Sequence, residues 1–516
     1  MRTSSVGDSI LTCAALAIPA WSVITLIVAP LLGGHPPAWT ATGMRAAFPA
    51  LVGWILSGGV VGAALPALVA LRMRRKPVAA PASEPAAEPT RVVIVGGGFA
   101  GMTTALQLEA GLGSDQSVSI TLVSEANALL FTPMLAEVAG SSIEPTHISS
   151  PLRTSLRRTK VVRARVNGVD LEQRRIELRA YDGETEPRYL DYDHLVLALG
   201  AVSNFFGQEN IRRVAMDFKS LTDAIRIRNH VIALFDRADR ESNDAARRRL
   251  LTFVVAGGGF AGVELAGALN DFARGMLIDY PSLDDAEVRV IVVHARERVL
   301  PELSPSLARY ALSRMSERGV EFRLNTRVAD ATSTAVMLDP AEEIASHTLV
   351  WTAGTAPNPL LEKLGVGRDK RGAVIVEGSM AIAGHAGVWA LGDCAAIPDV
   401  ISGGTYPPTA QHALREAAAL ARNLISSIRQ QPLTNFTFRS LGALCVIGHQ
   451  TACAEIREPL TGRKILFSGV FAWLMWRAIY LSKLPGFERK VRVLVDWVTE
   501  LFFPRDTVQT IEQPWT

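Results

Sequence analysis

Two glycine-rich turns in this chain have the spacing needed to hold the phosphates of a dinucleotide. Each follows a short apolar stretch, and the glycines stand in the pattern G-x-G-x-x-G: Gly96, Gly98 and Gly101 in the first turn, and Gly257, Gly259 and Gly262 in the second. The first glycine permits a tight turn, the second lets the backbone approach a pyrophosphate, and the third lets the helix pack on the strand. The phosphates then lie at a helix N-terminus, where free N–H groups and the helix dipole favour negative charge.

The repetition of this pattern indicates what kind of chemistry the chain supports. A single G-x-G-x-x-G is a weak signal, because a glycine-rich turn can occur without a ligand, but here each copy joins an apolar strand to a helix. Two copies therefore predict two dinucleotide sites in one chain, which suggests a flavin that is reduced by a nicotinamide cofactor. Phe99 and Ala100, between the glycines of the first turn, are counted with them as cofactor-binding residues.

The acidic residue that should bind each ribose is less regular. In the first unit Glu125 is the only nearby carboxylate, and it stands one residue later than the usual position. In the second unit the strand ends at His294, with no acid at the expected position. His294, Arg296 and Arg298 could accept a 2′-phosphate or could form a solvated basic turn. Both NADH and NADPH are therefore retained as candidate substrates.

The composition argues against several other classes of function. With 516 residues the chain is long enough for two or more domains. Its net charge of +3 gives no general attraction to nucleic acid, so no such partner is expected. The four cysteines form no CxxC pair, which argues against a disulfide scaffold, a zinc ribbon or a thioredoxin-like dithiol. We expect no metal site.

Two uncharged apolar stretches open the chain, from about 9 to 32 and from about 47 to 71. Each exceeds the ~20 residues with which a helix crosses a bilayer. Residues 1–76 are therefore predicted to form two transmembrane helices, although a cleaved signal peptide is the alternative for the first stretch. The basic residues at 72 and 74–76 place the bulk of the chain in the cytoplasm, at the cell (inner or plasma) membrane. Neither span contains an internal charge, which disfavours a proton relay.

Six segments beyond the hairpin carry a family pattern: LLFTPMLAEVAG (129–140), YDHLVLALG (192–200), GGGFAGVELAG (257–267), LVWTAGTAPNP (349–359), VWALGDCA (388–395) and PPTAQHALRE (407–416). Together they resemble the type II NADH:quinone oxidoreductases, flavoproteins with two dinucleotide-binding domains. The last segment matches the AQxAxxE form of that family's quinone-site motif. The resemblance covers roughly residues 91–516, and the N-terminal hairpin is not part of the usual family architecture.

The resemblance implies roles for individual residues. Glu264 would face the contact between nicotinamide and flavin, unless it is only a helix N-terminal carboxylate. Asp393 would bind the ribityl chain of FAD. Gln411 would meet the flavin ring and the quinone head, while Glu416 would line the quinone approach and supply a proton, unless it is a surface charge. The matched segments imply further cofactor-binding positions at Thr132, Gly200, Gly354 and Ala410.

The expected fold is α/β with two Rossmann-like dinucleotide-binding domains, an N-terminal transmembrane hairpin and a C-terminal membrane-associating amphipathic region. The predicted boundaries are 1–76 for the hairpin, 77–90 for a Pro/Ala linker, 91–215 and 356–425 for the FAD-binding domain, 216–355 for the NAD(P)H-binding domain and 426–516 for the C-terminal region. In that last region a helix from about 488 to 503 carries one apolar side and basic neighbours. Such a helix can lie in a membrane interface, and an ordinary core-facing helix is the alternative.

The function implied by the resemblance is a membrane-bound, non-proton-pumping oxidoreductase that passes a hydride from NAD(P)H to FAD and then two electrons to a quinone. The expected partners are a quinone and membrane lipid, and a homodimer is left open. Two rival functions are a sulfide:quinone oxidoreductase, which needs cysteines beside the flavin, and a non-catalytic NAD(H)-binding redox sensor.

Overall fold

A computed structural model describes residues 6–34, 37, 41–72, 88–180, 188–458 and 461–509. The predicted basic cluster at 74–76 and most of the predicted linker lie outside these residues.

The first dinucleotide-binding unit is built on a seven-stranded sheet. Its strands are β1 (Thr90–Val95), β2 (Val118–Ser124), β3 (Lys160–Asp170), β4 (Arg175–Ala180), β5 (Arg188–Asp191), β6 (His194–Leu197) and β12 (Val388–Ala390), in the order β12-β6-β1-β2-β3-β4-β5. The five strands from β12 to β3 are parallel. The apolar residues of β1 are almost fully buried, as expected for a parallel strand covered on both faces. Helix α3 (Phe99–Leu112) packs against helix α7 (Ala410–Ile428) on this sheet.

The second unit is a five-stranded parallel sheet. Its strands are β7 (Met216–Asp217), β8 (Thr252–Ala256), β9 (Arg289–His294), β10 (Val320–Leu324) and β11 (Thr348–Trp351), in the order β7-β11-β8-β9-β10. Its three long helices are α4 (Leu221–Asp239), α5 (Phe260–Met276) and α6 (Pro305–Glu317), and a short helix, Asp244–Leu250, precedes β8. The chain leaves the first sheet after β6 and returns to it through β12. The α/β fold with two dinucleotide-binding units is thus confirmed.

The C-terminal region combines a small antiparallel sheet with two helices. The strands are β13 (Gly442–Val446), β14 (Ala452–Arg457) and β15 (Lys464–Ser468), followed by α8 (Gly469–Lys483) and α9 (Phe487–Thr499). Cys445 and Cys453 lie directly opposite each other on β13 and β14, and both are buried free thiols. Burial raises the pKa of both thiols well above its usual range.

The predicted apolar row of helix α9 does not face the core, so the core-facing alternative for this row is wrong. The row is exposed to between 37% and 76% and consists of Val491, Leu494, Val495 and Val498, continued beyond the helix by Phe502. The side that packs on the protein carries Lys490, Val493 and Trp497. The apolar row therefore lies at the surface of the described part of the chain and is only partly covered by it.

The N-terminal hairpin consists of α1 (Val6–Val23), extended by Ile24–Val28 and Ala29–Leu32, and α2 (Ala41–Arg72). The two helices pack closely at Gly58 and Gly62. A Cβ at Gly58 would lie 2.5 Å from the Cys13 carbonyl oxygen, and a Cβ at Gly62 would meet the Ser9 carbonyl oxygen. Small residues four apart allow such close packing of membrane helices. Both helices contain stretches long and apolar enough to cross a membrane, Ser9–Leu32 and Ala46–Ala64, by length and composition alone.

Helix α1 also packs on the C-terminal region, which the sequence analysis did not predict. It contacts α8 and α9. The Lys490 ammonium on α9 donates to Thr12 Oγ1 at 3.3 Å, and Ala15 joins the main hydrophobic core together with Trp476 and Trp497. The hairpin is therefore docked on the C-terminal region.

Candidate active site

The first glycine turn forms an open cradle at the end of β1. Gly96 has φ +114°, and a Cβ there would meet the Ala198 carbonyl oxygen. A Cβ at Gly101 would meet the Gly96 carbonyl oxygen, so no larger residue fits between strand and helix. Gly98, the N-cap of α3, has no atom within 4 Å of a built Cβ. The cradle thus leaves room above the helix N-terminus, where Phe99 and Ala100 form the first turn.

The second glycine turn repeats this geometry at the end of β8. Gly257 has φ +120°, and a Cβ there would lie 2.5 Å from Thr352 Oγ1. A Cβ at Gly262 would meet the Gly257 carbonyl oxygen, whereas Gly259, the N-cap of α5, faces open space. Both turns therefore have the shape that dinucleotide phosphates require.

The two ribose positions differ in chemistry. Glu125 directly follows β2, its side chain is largely exposed, and its carboxylate pairs with Arg165 at 3.3 Å. Its position at the carboxyl end of β2 is compatible with the predicted contact to a ribose. That contact remains a prediction.

His294 is the last residue of β9 and is bound to the second glycine turn. The Gly258 N–H donates to His294 Nδ1 at 3.0 Å, so the imidazole is neutral and its proton lies on Nε2. Burial lowers the pKa of His294, and the Arg296 charge lowers it further. Nε2 is buried and has no partner among the described residues. Arg298 donates to the Pro301 carbonyl at 3.0 Å. His294 and Arg298 are partly buried, whereas Arg296 is exposed.

Asp393 lies at the carboxyl end of β12, on the short 3-10 helix Gly392–Cys394. Its carboxylate is half-buried and makes no hydrogen bond to another described residue. Burial raises the pKa of Asp393, and the Lys219 charge opposes that effect. The neighbouring Cys394 thiol is buried, and burial raises its pKa to about 11, as expected for a bystander.

The other predicted cofactor positions lie on turns around these cradles. Gly200 follows β6 with φ +65° and open space at its Cβ position. Gly354 follows β11, and a Cβ there would lie 2.6 Å from Phe206 Cζ. Thr132 is exposed and begins the 3-10 helix Thr132–Met134, next to Phe131, whose ring centroid lies 5.7 Å from that of Phe99.

Helix α7 carries the predicted quinone-site motif. Ala410 is its first residue, and Thr409 caps it by accepting from the His412 N–H. The Gln411 side-chain amide donates to the Gly442 carbonyl at 3.2 Å, and its oxygen accepts from the Leu441 N–H at 2.9 Å. Gln411 therefore joins the FAD-side helix to the C-terminal sheet.

Glu416 is buried next to the Asp393 turn, and its predicted role at the quinone approach stays a prediction. It is only 3% exposed, and its carboxylate accepts from the Gly392 N–H at 2.9 Å, one residue before Asp393. Burial raises the pKa of Glu416 to about 7. The surface-charge alternative is wrong, and the contact places Glu416 beneath the Asp393 turn.

Glu264 lies on α5 beside β13. Its carboxylate accepts from the Val446 N–H at 3.3 Å. Burial raises the pKa of Glu264 to about 8, and repulsion by Glu137 adds to the rise. Glu264 is therefore mostly protonated at neutral pH. The carboxylates of Glu264 and Glu137 both line a cavity of about 30 Å³, which is enough for one or two water molecules.

Sequence reasoning missed the charged cluster next to Glu264. Arg477 lies 4.0 Å from Glu137 and 2.7 Å from Glu500, and Arg505 pairs with Glu500 at 3.0 Å. The Arg477 guanidinium also lies over the Trp473 ring, 3.9 Å from its centroid. Burial raises the pKa of Glu137 to about 7. A lone carboxylate in the apolar segment 129–140 was the signal that could have revealed Glu137.

Two family profiles match the chain. The profile described as pyridine nucleotide-disulphide oxidoreductase matches residues 90–417, and the NDH2 C-terminal domain profile matches residues 441–506. The first match spans both sheets, and the second spans β13 to α9. Fold and cradles are thus those of a pyridine nucleotide-disulphide oxidoreductase, and the hairpin lies outside both matches.

Curated relatives narrow this class. The chain is 31% identical over 425 residues to the type II NADH:quinone oxidoreductase NdhA of Mycobacterium tuberculosis, which covers 79% of this chain and 86% of the relative. It is 30% identical over 451 residues to Ndh of the same organism, covering 84% and 93%. The chain belongs to the type II NADH:quinone oxidoreductases, as its sequence motifs predicted.

Solved structures share the fold. NDH2 of Plasmodium falciparum in complex with NADH superposes with a TM-score of 0.75 at 18% identity, over 82% of this chain and 100% of that chain. The sulfide:quinone oxidoreductase of Aquifex aeolicus has a TM-score of 0.61 at 18% identity, over 80% and 96%. At these identities the similarity shows the fold alone.

Proposed function

We propose that the protein is a membrane-bound, FAD-dependent NADH:quinone oxidoreductase. The observation that carries this proposal is the pair of open glycine cradles on two sheets joined by the NDH2-type C-terminal region. The first cradle fits FAD, because its phosphates would lie over α3 and the unpartnered Asp393 carboxylate would bind the ribityl chain. The second cradle fits the nicotinamide dinucleotide. Bound in the first cradle, FAD would supply the redox chemistry, which is to accept a hydride and to pass two electrons to a quinone.

The protein's own residues bind and orient the reactants. The N–H groups around Gly98 and Gly259 would hold the two pyrophosphates, and the helix dipoles would favour their charge. Gln411 fixes the start of α7 against the C-terminal sheet, so that the flavin-side helix and the quinone-side region keep one geometry. Glu264, protonated at neutral pH, holds a proton beside a cavity that has room for water. These residues supply position and protons, and no nucleophile is needed.

The cysteines do not favour the sulfide:quinone alternative. Among the described residues, Cys394, Cys445 and Cys453 are buried. Burial raises the pKa of each thiol. Since the thiolate is the reactive form, these side chains are poorly suited to carry sulfur.

We further propose that the hairpin and α9 together attach the enzyme to the membrane, with the catalytic part in the cytoplasm. Support comes from two helices of spanning length and from the exposed apolar row of α9 with its basic neighbours. The quinone would then reach the site from the bilayer. Protease added outside intact cells should leave the chain after residue 91 uncut, and cleavage there contradicts this topology.

Anaerobic stopped-flow spectroscopy tests the activity on full-length protein in detergent. NADH should bleach the flavin band, and a soluble quinone should restore it at a rate that sustains steady-state turnover. The sensor function requires that NADH binds without turnover, and the sulfide function requires that sulfide bleaches the flavin. Purified, folded protein without a flavin band contradicts the proposal as a whole.

A further inference from the structure

Lys219 is a charged residue at the boundary of the two dinucleotide-binding units that none of the motifs includes. It follows β7 by two residues and precedes α4. The backbone N–H groups of Lys219 and Ser220 both donate to the Asp223 carboxylate, at 3.1 and 2.7 Å, as part of a capping box. The helix cap therefore fixes the backbone from which the Lys219 side chain extends.

The Lys219 ammonium is half-buried and has no hydrogen bond or ion pair with another described residue. Burial lowers the pKa of Lys219, and the charges of Asp393 and then Asp217 oppose that effect. The Lys219 charge in turn lowers the pKa of Asp393, which burial raises. Asp217 has a buried oxygen without a partner in the described part of the chain. Lys219 and Asp393 thus attract each other but do not form an ion pair.

Half-buried opposite charges without hydrogen bonds are costly, because each has lost water and gained no partner. They are found where a ligand completes the contacts. Lys219 lies just past the carboxyl end of the second sheet, and Asp393 lies at the carboxyl end of the first, the edge at which such sheets bind ligands.

We propose that Lys219 is a further cofactor-binding residue, whose ammonium contacts the bound flavin cofactor opposite Asp393 and stabilises the negative charge that it gains on reduction. This inference rests on the proposed function, since it requires FAD in the first cradle. A hydride carries two electrons and one proton, so its transfer from the nicotinamide leaves one additional negative charge until a second proton is taken up. A fixed cation at that position favours the reduced state.

The flavin midpoint potential of the full-length protein tests this inference. Lys219→Met should lower the equilibrium constant for flavin reduction about ten-fold, which is about 30 mV in a two-electron couple. Lys219→Arg keeps the charge and should restore most of the potential. Lys160→Met removes an exposed lysine on β3 and should change nothing.

The potential is measured by reductive titration against a reference dye, and FAD content is measured in parallel. A lower potential or weaker FAD retention in Lys219→Met, restored by Lys219→Arg, supports the contact. Equal potential and equal FAD retention in Lys219→Met and the unaltered protein overturn it. If Lys219→Met does not fold, Lys219→Gln takes its place. Unaltered protein without any flavin refutes the proposed function instead of the assignment of Lys219.

Discussion

Replacement of Glu416 by alanine should weaken FAD binding more than it slows the reaction with quinone. The Glu416 carboxylate is 3% exposed and accepts from the Gly392 N–H at 2.9 Å, directly before the proposed ribityl-binding residue Asp393. Burial raises the pKa of Glu416 to about 7, so both protonation states occur at neutral pH. Either state can accept this hydrogen bond.

The size of the effect follows from the lost acceptor. In Glu416→Ala the Gly392 N–H loses its partner, and an unsatisfied buried donor costs about 1–3 kcal/mol. Because this hydrogen bond is only partly buried, we take about 1–2 kcal/mol. If the whole of this free energy is lost from the FAD-bound state, the FAD dissociation constant rises about 5- to 30-fold. Glu416→Gln keeps the acceptor and the volume, so FAD binding should change only slightly.

Flavin fluorescence quenching during titration of the apoprotein with FAD measures this constant. Arg422→Ala, which removes an exposed side chain from the same helix, is the matched control. The reasoning is refuted if Glu416→Ala binds FAD as tightly as the unaltered protein and slows only the reoxidation by quinone. That result would support the role in quinone chemistry that the sequence motif implied for Glu416.

Four further changes test other parts of the site. Gln411→Ala breaks both hydrogen bonds to residues 441–442, so in stopped-flow experiments reoxidation by quinone should slow about ten-fold while flavin reduction stays within a few-fold; the reverse pattern contradicts the placement of the quinone site. Since burial raises the pKa of Glu264 to about 8, its protonated fraction falls about ten-fold between pH 7 and pH 9. Quinone-dependent turnover should fall similarly over that range and become flat in Glu264→Gln, and a fall that persists in the variant assigns it to another group. His294→Glu can still accept from the Gly258 N–H and repels a 2′-phosphate, so the NADH/NADPH ratio of kcat/KM should rise, whereas His294→Gln is the neutral control; equal ratios place the determinant elsewhere. After protease cleavage at a site introduced into 77–87, the hairpin should co-elute with the catalytic part in detergent because α1 packs on α8 and α9, and Lys490→Glu should weaken that association; separation of the unaltered pieces rules out stable docking.

The local sequence by itself determined the two cradles. A strand, a glycine turn and a helix follow one another within about a dozen residues, and the third glycine of each turn is required by a backbone contact inside that short segment, Gly101 against Gly96 and Gly262 against Gly257. The cap of α7 at Thr409 was predictable for the same reason, because its partner His412 stands three residues away. The resemblance of six segments then indicated the family to which the chain belongs.

The partners of the functional side chains were decided by the tertiary structure. Glu416 meets the Gly392 N–H 24 residues away, His294 meets Gly258 over 36 residues, and Lys490 meets Thr12 over 478. The charges of Lys219 and Asp393 influence each other although 174 residues separate them, because the chain leaves the first sheet after β6 and returns to it through β12. Spacing along a helix fixes the direction in which a side chain points, whereas sheet order and the docking of α1 fix what it meets and how far it is buried. Burial in turn raises the pKa of Glu137, Glu264 and Glu416, so the sequence could name candidate carboxylates but could not give their protonation at neutral pH.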